Sequence, residues 1–166
     1  MKLIIHDLTP EQAETILPKQ SGIRVISDNG KIRHCVGCFG CWVKTPGQCV
    51  IHDGYETVSA LLAQCEELIL ISRCFYGGFS PFVKNVVDRN ISYSLPDFTI
   101  RNGEMHHKGR YDNRFKLSVC FYGENMTETE RQTARELVQA NTVNLNGTAG
   151  EVHFAERAED FKGVLS

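Results

Sequence analysis

No run in the 166 residues approaches the roughly 18 consecutive apolar residues that a membrane-spanning helix needs. Nor is there a basic excess. Lys and Arg number 18 against 20 Asp and Glu, a formal net charge of -2, which argues against a generic nucleic-acid or membrane-surface binder. Repeats, linkers and low-complexity stretches are absent, and the 42% apolar and 23% charged residues are those of an ordinary globule, not a disordered tail. Met1 leads straight into KLIIHDL, which is too short and too soon acidic for an export signal, so the expected compartment is the cytoplasm. The length suits a single domain, residues 1–166, with one core.

Cysteine is what the chain has in excess. There are seven, and four of them crowd between Cys35 and Cys49. Without an export signal a disulfide framework is disfavoured, which leaves a metal or redox site as the better reading. The spacing is Cys35-x2-Cys38-x2-Cys41-x7-Cys49, in a cysteine-rich segment spanning 31–51. Closely spaced thiolates on a turn-rich segment can converge on one iron–sulfur cluster, and a [4Fe-4S] cluster takes four. Zinc also accepts four cysteines, though more often as two separated knuckles. Reduced thiols packing as small hydrophobes, or acting in redox chemistry without metal, are the other readings. Cys65, Cys74 and Cys120 fall on strand or helix patterns and read as core residues.

Along the chain, strand and helix patterns alternate. Leu3 to Ile5 open a buried strand. Thr9-Pro10-Glu11-Gln12 is a capping box with Pro at the first helical position, and Pro18 ends that helix early. Gly22 to Ser27 reads as a second strand closed by an Asp28-Asn29-Gly30 turn. Asp53 with Glu56 predicts a helix cap ahead of Val58, Leu61, Leu62 and Cys65. Leu68 to Ser72 is a continuous apolar run, as in a parallel strand buried on both faces. Ser80-Pro81 starts a helix, residues 94–115 read as a polar surface loop or flap, and Lys116 to Gly123 is a fourth strand. Thr127 with Glu130 caps another helix, and Gly150 to Phe154 is the last strand. Strands separated by helices imply parallel crossovers. The expected fold is an α/β, flavodoxin-like three-layer sandwich with a five-stranded parallel sheet of order 2-1-3-4-5, its ligand at the carboxyl ends of the strands.

The loop Phe75-Tyr76-Gly77-Gly78-Phe79-Ser80 lies between a buried strand and a helix N-terminus. Adjacent glycines allow close backbone approach to a flat ligand, and the aromatics offer stacking surfaces. The alternative is a tight turn with its aromatics tucked into the core. Arg89, at the end of its helix, reads as a structural cation for a nearby carboxylate. His106-His107 reads as a solvated pair. Phe39 and Trp42 flank the cysteines and either shield a cluster or bury the loop.

The run from Cys35 through Asp53, followed by FYGGFSPFVKNVVDR from Phe75 to Arg89, resembles the NADPH-dependent FMN reductase and iron–sulfur flavoprotein family of flavodoxin-like proteins. Lys84, Asp88 and Arg89 match the helix that follows the flavin loop in that family, and the likeness covers about residues 31–125. It implies a flavin ring gripped by Phe75, Tyr76, Gly77, Gly78, Phe79 and Ser80 on one side and by Tyr122, Gly123 and Glu124 on another. Cys35, Cys38, Cys41 and Cys49 would hold the metal. FMN is the implied cofactor, NAD(P)H the electron donor, and a small-molecule acceptor or redox protein the partner, in a homodimer or higher homo-oligomer.

One departure from the family stands at the first strand, which runs into His6-Asp7-Leu8-Thr9-Pro10-Glu11 in place of a Gly/Ser/Thr-rich phosphate loop. Pro10 removes an amide, and Asp7 and Glu11 would repel a phosphate. The expectation is therefore a flavin-dependent oxidoreductase weak at the phosphate end. The alternative is a flavin-free relative that serves as a partner subunit or a thiol or metal-binding module.

Overall fold

Uninterrupted apolar runs decide the sheet, because only a strand covered on both faces can bury every residue. The computed structural model describes residues 1–165. Its elements in chain order are β1 (Lys2–His6), α1 (Pro10–Ile16), β2 (Ile23–Ser27), α2 (Gly40–Val43), α3 (Val58–Leu62), β3 (Glu67–Arg73), α4 (Pro81–Arg89), β4 (Ser94–Arg101), β5 (Glu104–Gly109), β6 (Lys116–Tyr122), α5 (Glu128–Asn144) and β7 (Thr148–Ala155). The main sheet runs β2-β1-β3-β6-β7, all parallel, which is the expected 2-1-3-4-5 order among its five strands. β3 is central, between β1 and β6, and its Ile69 and Ile71 are 4% and 0% exposed.

Alternation of side chains along the strands divides the core in two. Leu3, Ile5, Leu68, Leu70, Leu117 and Phe121 face α3, α4 and α5, meeting Val58, Leu62, Val83, Val86, Ala134 and Val138. Ile4, Ile69, Ile71 and Cys120 face the other way, against Ile16 of α1, Ala158 and Phe161 of a C-terminal 3₁₀ turn, and Leu165 after it. That second layer is thin, since α1 has only seven residues. Burial pushes the Cys65 thiol up to about 11 and the Cys120 thiol up to about 12, as fits core residues.

Capping chemistry starts the helices where the sequence places it. Thr9 accepts from the Gln12 amide while Gln12 reaches back to the Thr9 amide, and Thr127 and Glu130 do the same for α5. Two expectations are corrected. The Asp53–Glu56 pair closes a turn and does not cap the helix: Glu56 accepts from the Asp53 and Gly54 amides and Asp53 from the Tyr55 amide, while α3 begins only at Val58, after Thr57. Residues 94–115 are not a loop but carry the antiparallel β4–β5 hairpin. Asn102 and Gly103 both hold positive φ (52° and 83°) in a two-residue turn, the conformation that matches strand twist. The hairpin docks on the end of α5, where Arg101 donates to the Val143 carbonyl at 2.9 Å and His106 Nδ1 meets Asn144 Oδ1 at 3.0 Å. Among the described residues no helix is long and apolar enough to cross a membrane.

Candidate functional site

β1, β3 and β6 end side by side at His6, Arg73 and Tyr122, where the chain order reverses between β1 and β3. Loops after these strands diverge there and leave a crevice. A cavity of about 970 Å³ occupies it, and of the nine residues expected at a flavin ring, Phe75, Ser80, Tyr122, Gly123 and Glu124 line it. Tyr76, Gly77, Gly78 and Phe79 are not brought to it. Phe75 and Gly78 exchange both backbone hydrogen bonds (3.0 and 2.8 Å) around a tight turn with positive φ at Tyr76 and Gly77. Tyr76 is 89% exposed at the tip, whereas Phe79 is buried and stacked on Phe121 at 5.3 Å.

Gly77 lies against α5, where an added Cβ would fall 2.7 Å from Thr133 Cβ and 2.8 Å from the Glu130 carbonyl oxygen. Gly77→Ala is expected to destabilise the fold by about 2 kcal/mol through backbone strain and overpacking. A thermal melt coincident with the parent protein would disprove the contact.

The floor of the crevice is a hydrogen-bonded carboxylate. Asp7 accepts from the Arg73 amide at 2.9 Å and from the Tyr122 hydroxyl at 3.1 Å. Burial, reinforced by the Asp7 charge, drives the Tyr122 phenol well above its ordinary range. Burial also lowers the pKa of His6, whose Nδ1 accepts from the Leu8 amide.

The backbone N–H groups of Asp7, Leu8, Thr9, Gln12 and Ala13 already have partners. Asp7 donates to the Ile71 carbonyl, Leu8 to His6, Thr9 to the Gln12 side chain, Gln12 to Thr9 Oγ1 and Ala13 to the Thr9 carbonyl. Pro10 has none to give. Asp7, Asp28, Glu124, Glu156 and Glu159 line the cavity against Arg73 and Arg157. The phosphate of FMN does not fit beside this loop.

A second cavity, of about 510 Å³, is lined by all four clustered cysteines. The segment wraps because Phe39 takes a left-handed φ of 56° and Gly40 sits where a Cβ would fall 2.7 Å from Val50. Its far end is clamped by a buried ion pair between Asp53 and Arg89, whose side chains are 5% and 2% exposed. Arg89 donates in addition to the carbonyls of Ile51 (3.0 Å) and Arg33 (3.4 Å). Burial works to raise the Asp53 carboxyl, but the Arg89 bond and the Arg33 and Tyr55 amides outweigh it and hold it below the usual range.

The four thiols share the cavity without forming a ligand set. Among the described residues no three His, Cys, Asp or Glu side chains are gathered to hold a metal ion. Cys41 is buried, Cys49 half-buried, and Cys35 and Cys38 exposed. Burial first, then the nearby Cys49, Cys35 and Cys38, raise the pKa of the Cys41 thiol.

His107 is half-buried, not a free surface side chain. Its ring lies between Trp42 (4.9 Å between centroids) and Phe98 (4.7 Å), on the cavity wall. Trp42 is fixed in turn by donating from Nε1 to the Ser94 carbonyl at 2.9 Å. Sequence reasoning missed this wall, formed by the hairpin together with Asn141 and Asn144 of α5. The Asn102-Gly103 dipeptide was the signal that could have revealed the hairpin.

No family model matches the chain. An iron–sulfur flavoprotein of Archaeoglobus fulgidus is 32% identical over 63 residues, a match spanning 38% of this chain and 28% of that relative's length. Among solved structures, general stress protein 14 from Treponema denticola, in complex with FMN, superposes with a TM-score of 0.58 at 11% identity, covering 99% of this chain and 90% of that one. An NADPH-quinone reductase from P. pentosaceus gives 0.57 at 11% identity over 99% and 91%. The Trp repressor binding protein from Bacillus subtilis gives 0.55 at 13% over 97% and 90%. These likenesses establish the flavodoxin-like fold, and the matches agree with the resemblance to the NADPH-dependent FMN reductase and iron–sulfur flavoprotein family.

Proposed function

We propose that this chain is a flavin-dependent oxidoreductase that passes electrons from a reduced nicotinamide to a small acceptor or a redox protein, with a [4Fe-4S] cluster in the cysteine cavity. The observation that carries the reading is the crevice over the β1/β3 reversal, walled by the loops after β1, β3 and β6. A flavin bound there supplies the hydride and single-electron chemistry. The chain's own part is positioning. Phe75 and the Tyr122–Gly123–Glu124 turn flank the ring, and Asp7, held by Tyr122 and the Arg73 amide, keeps the floor polar and rigid. Cys35, Cys38, Cys41 and Cys49, which line one cavity with Phe39, Trp42 and Val50, would have to draw together to hold that cluster. The exposed apolar face of the hairpin, Phe98, Ile100 and Met105, supports a homodimer.

A visible absorption spectrum of anaerobically purified protein tests this reading. Flavin bands and a broad brown shoulder are expected, and neither would appear if the chain is a flavin-free relative acting as a partner subunit. The spent amides between Asp7 and Ala13 favour that second reading.

Where the flavin binds, its phosphate gains little. FMN is expected to bind at most about tenfold more tightly than riboflavin, a gap of about 1.4 kcal/mol. Fluorescence-quenching titrations with both ligands measure it. A thousandfold preference for FMN would place the phosphate on another part of the chain.

A further inference from the structure

The whole-chain charge balance hides an asymmetry. From Lys31 to His52 the sequence holds Lys31, Arg33 and Lys44 and neither Asp nor Glu, within a chain whose formal net charge is -2. All three cations are exposed, and among the described residues none of them joins an ion pair. The crevice over the β1/β3 reversal carries the opposite excess, with Asp7, Asp28, Glu124, Glu156 and Glu159 against Arg73 and Arg157.

The same basic segment presents apolar side chains to water. Val36, Phe39 and Val43 are 63%, 60% and 79% exposed. The local fold requires it. Gly40 and Cys41 are the buried residues of α2, and the Val43 amide donates to the Phe39 carbonyl at 3.1 Å, one turn back along its outer side. Phe39 is held there by stacking on Trp42 at 5.5 Å, and Val36 joins it on the wall of the cysteine cavity. Large apolar side chains grouped at such exposure mark a docking surface.

The cations select the occupant. An isologous contact of this patch with a second copy would bring two cationic segments together, like charge against like. An anionic bilayer answers both halves of the pattern. Its headgroups attract the cations, and its interfacial layer takes up apolar side chains that stand out singly from a short helix. We propose that residues 31–44 dock this chain on an anionic membrane surface, with Val36, Phe39 and Val43 entering the headgroup layer and Lys31, Arg33 and Lys44 pairing with lipid phosphates. The docking asks nothing of a flavin or a cluster. It leaves the hairpin face of Phe98, Ile100 and Met105 to the second copy.

Cosedimentation of the full chain with vesicles tests this, with pure phosphatidylcholine compared against a mixture carrying about a third phosphatidylglycerol. Partition onto the charged vesicles is expected to be about tenfold stronger, and to fall back to the neutral level in about 0.5 M salt. The triple variant Lys31→Gln/Arg33→Gln/Lys44→Gln should lose about tenfold on charged vesicles, and Val36→Ser/Val43→Ser about fivefold. Trp42 is the single tryptophan, so brominated lipids should quench the intrinsic fluorescence of the bound chain.

Equal partition onto neutral and charged vesicles, or none onto either, overturns the inference. Binding to soluble polyglutamate but not to vesicles also overturns it, by assigning the patch to an acidic polypeptide. If Val36→Ser/Val43→Ser turns a dimeric parent into a monomer in size-exclusion chromatography, these side chains belong to the contact between copies and the inference falls. Should a variant fail to fold, the lipid and salt dependence of the parent chain decides alone.

Discussion

Asp53→Ala is expected to destabilise the protein by about 3–5 kcal/mol, because it strands the Arg89 guanidinium inside the fold without its counter-charge. For a chain of this size, that lowers the melting temperature by on the order of 10 °C. The carbonyls of Ile51 and Arg33 remain, but they neutralise no charge. Urea denaturation of both proteins measures the loss, and a change below about 1 kcal/mol would show that Arg89 reaches water or another anion.

The same pair sets a pH dependence. The Asp53 carboxyl is held below its unfolded value of about 3.9, so its contribution is present above that pH and is lost as pH falls through the lower folded value. Asp53→Ala should therefore flatten the acid limb of the stability profile. An acid limb as steep in the variant as in the parent chain would assign that limb to other carboxylates.

Cys38→Ser is expected to abolish bound iron and brown colour in the reconstituted protein, against about four irons per chain in the parent, since a [4Fe-4S] cluster needs all four thiolates. Cys38 is exposed, so the substitution removes a ligand without opening a cavity in the core. Cys74→Ser, remote from that cavity's wall, is the control and should keep its iron. Equal iron in the parent and in Cys38→Ser would exclude Cys38 as a ligand. No iron in either would leave the four cysteines as thiols.

Much of the fold was legible because its signals are local. Leu68 to Ser72 could only be a strand buried on both faces, and the Thr9 and Thr127 capping boxes form as read. The hairpin was equally local but was overlooked, because the polar residues around the Asn102-Gly103 turn hid its alternation. Asp53 misled for a different reason. Its spacing to Glu56 is that of a cap, yet the pair closes a turn ahead of α3, and the same carboxylate takes an ion pair 36 residues away in sequence that no local pattern reports.

At the candidate site the two loops differ in what could be foreseen. The unsuitability of residues 6–11 for a phosphate follows from Pro10, Asp7 and Glu11 themselves, and the amide partners found between Asp7 and Ala13 complete it. FYGGFS could not be apportioned in advance. Whether Gly77 faces a ligand or a helix depends on where α5 packs, and it packs on Gly77.

By itself the amino-acid sequence determined which segments are buried strands, most of the helix starts and the gathering of four thiols on one segment. Each follows from apolar period, capping chemistry or covalent spacing, which act over a few residues. Only the tertiary structure decided that Arg89 closes on Asp53, that His107 meets the Trp42 and Phe98 rings, and that both residues stand on the wall of the thiol cavity. The Asp53–Arg89 and Trp42–His107 contacts join residues 36 and 65 positions apart in the chain, and they are set by how the hairpin and α4 pack rather than by any neighbour in sequence.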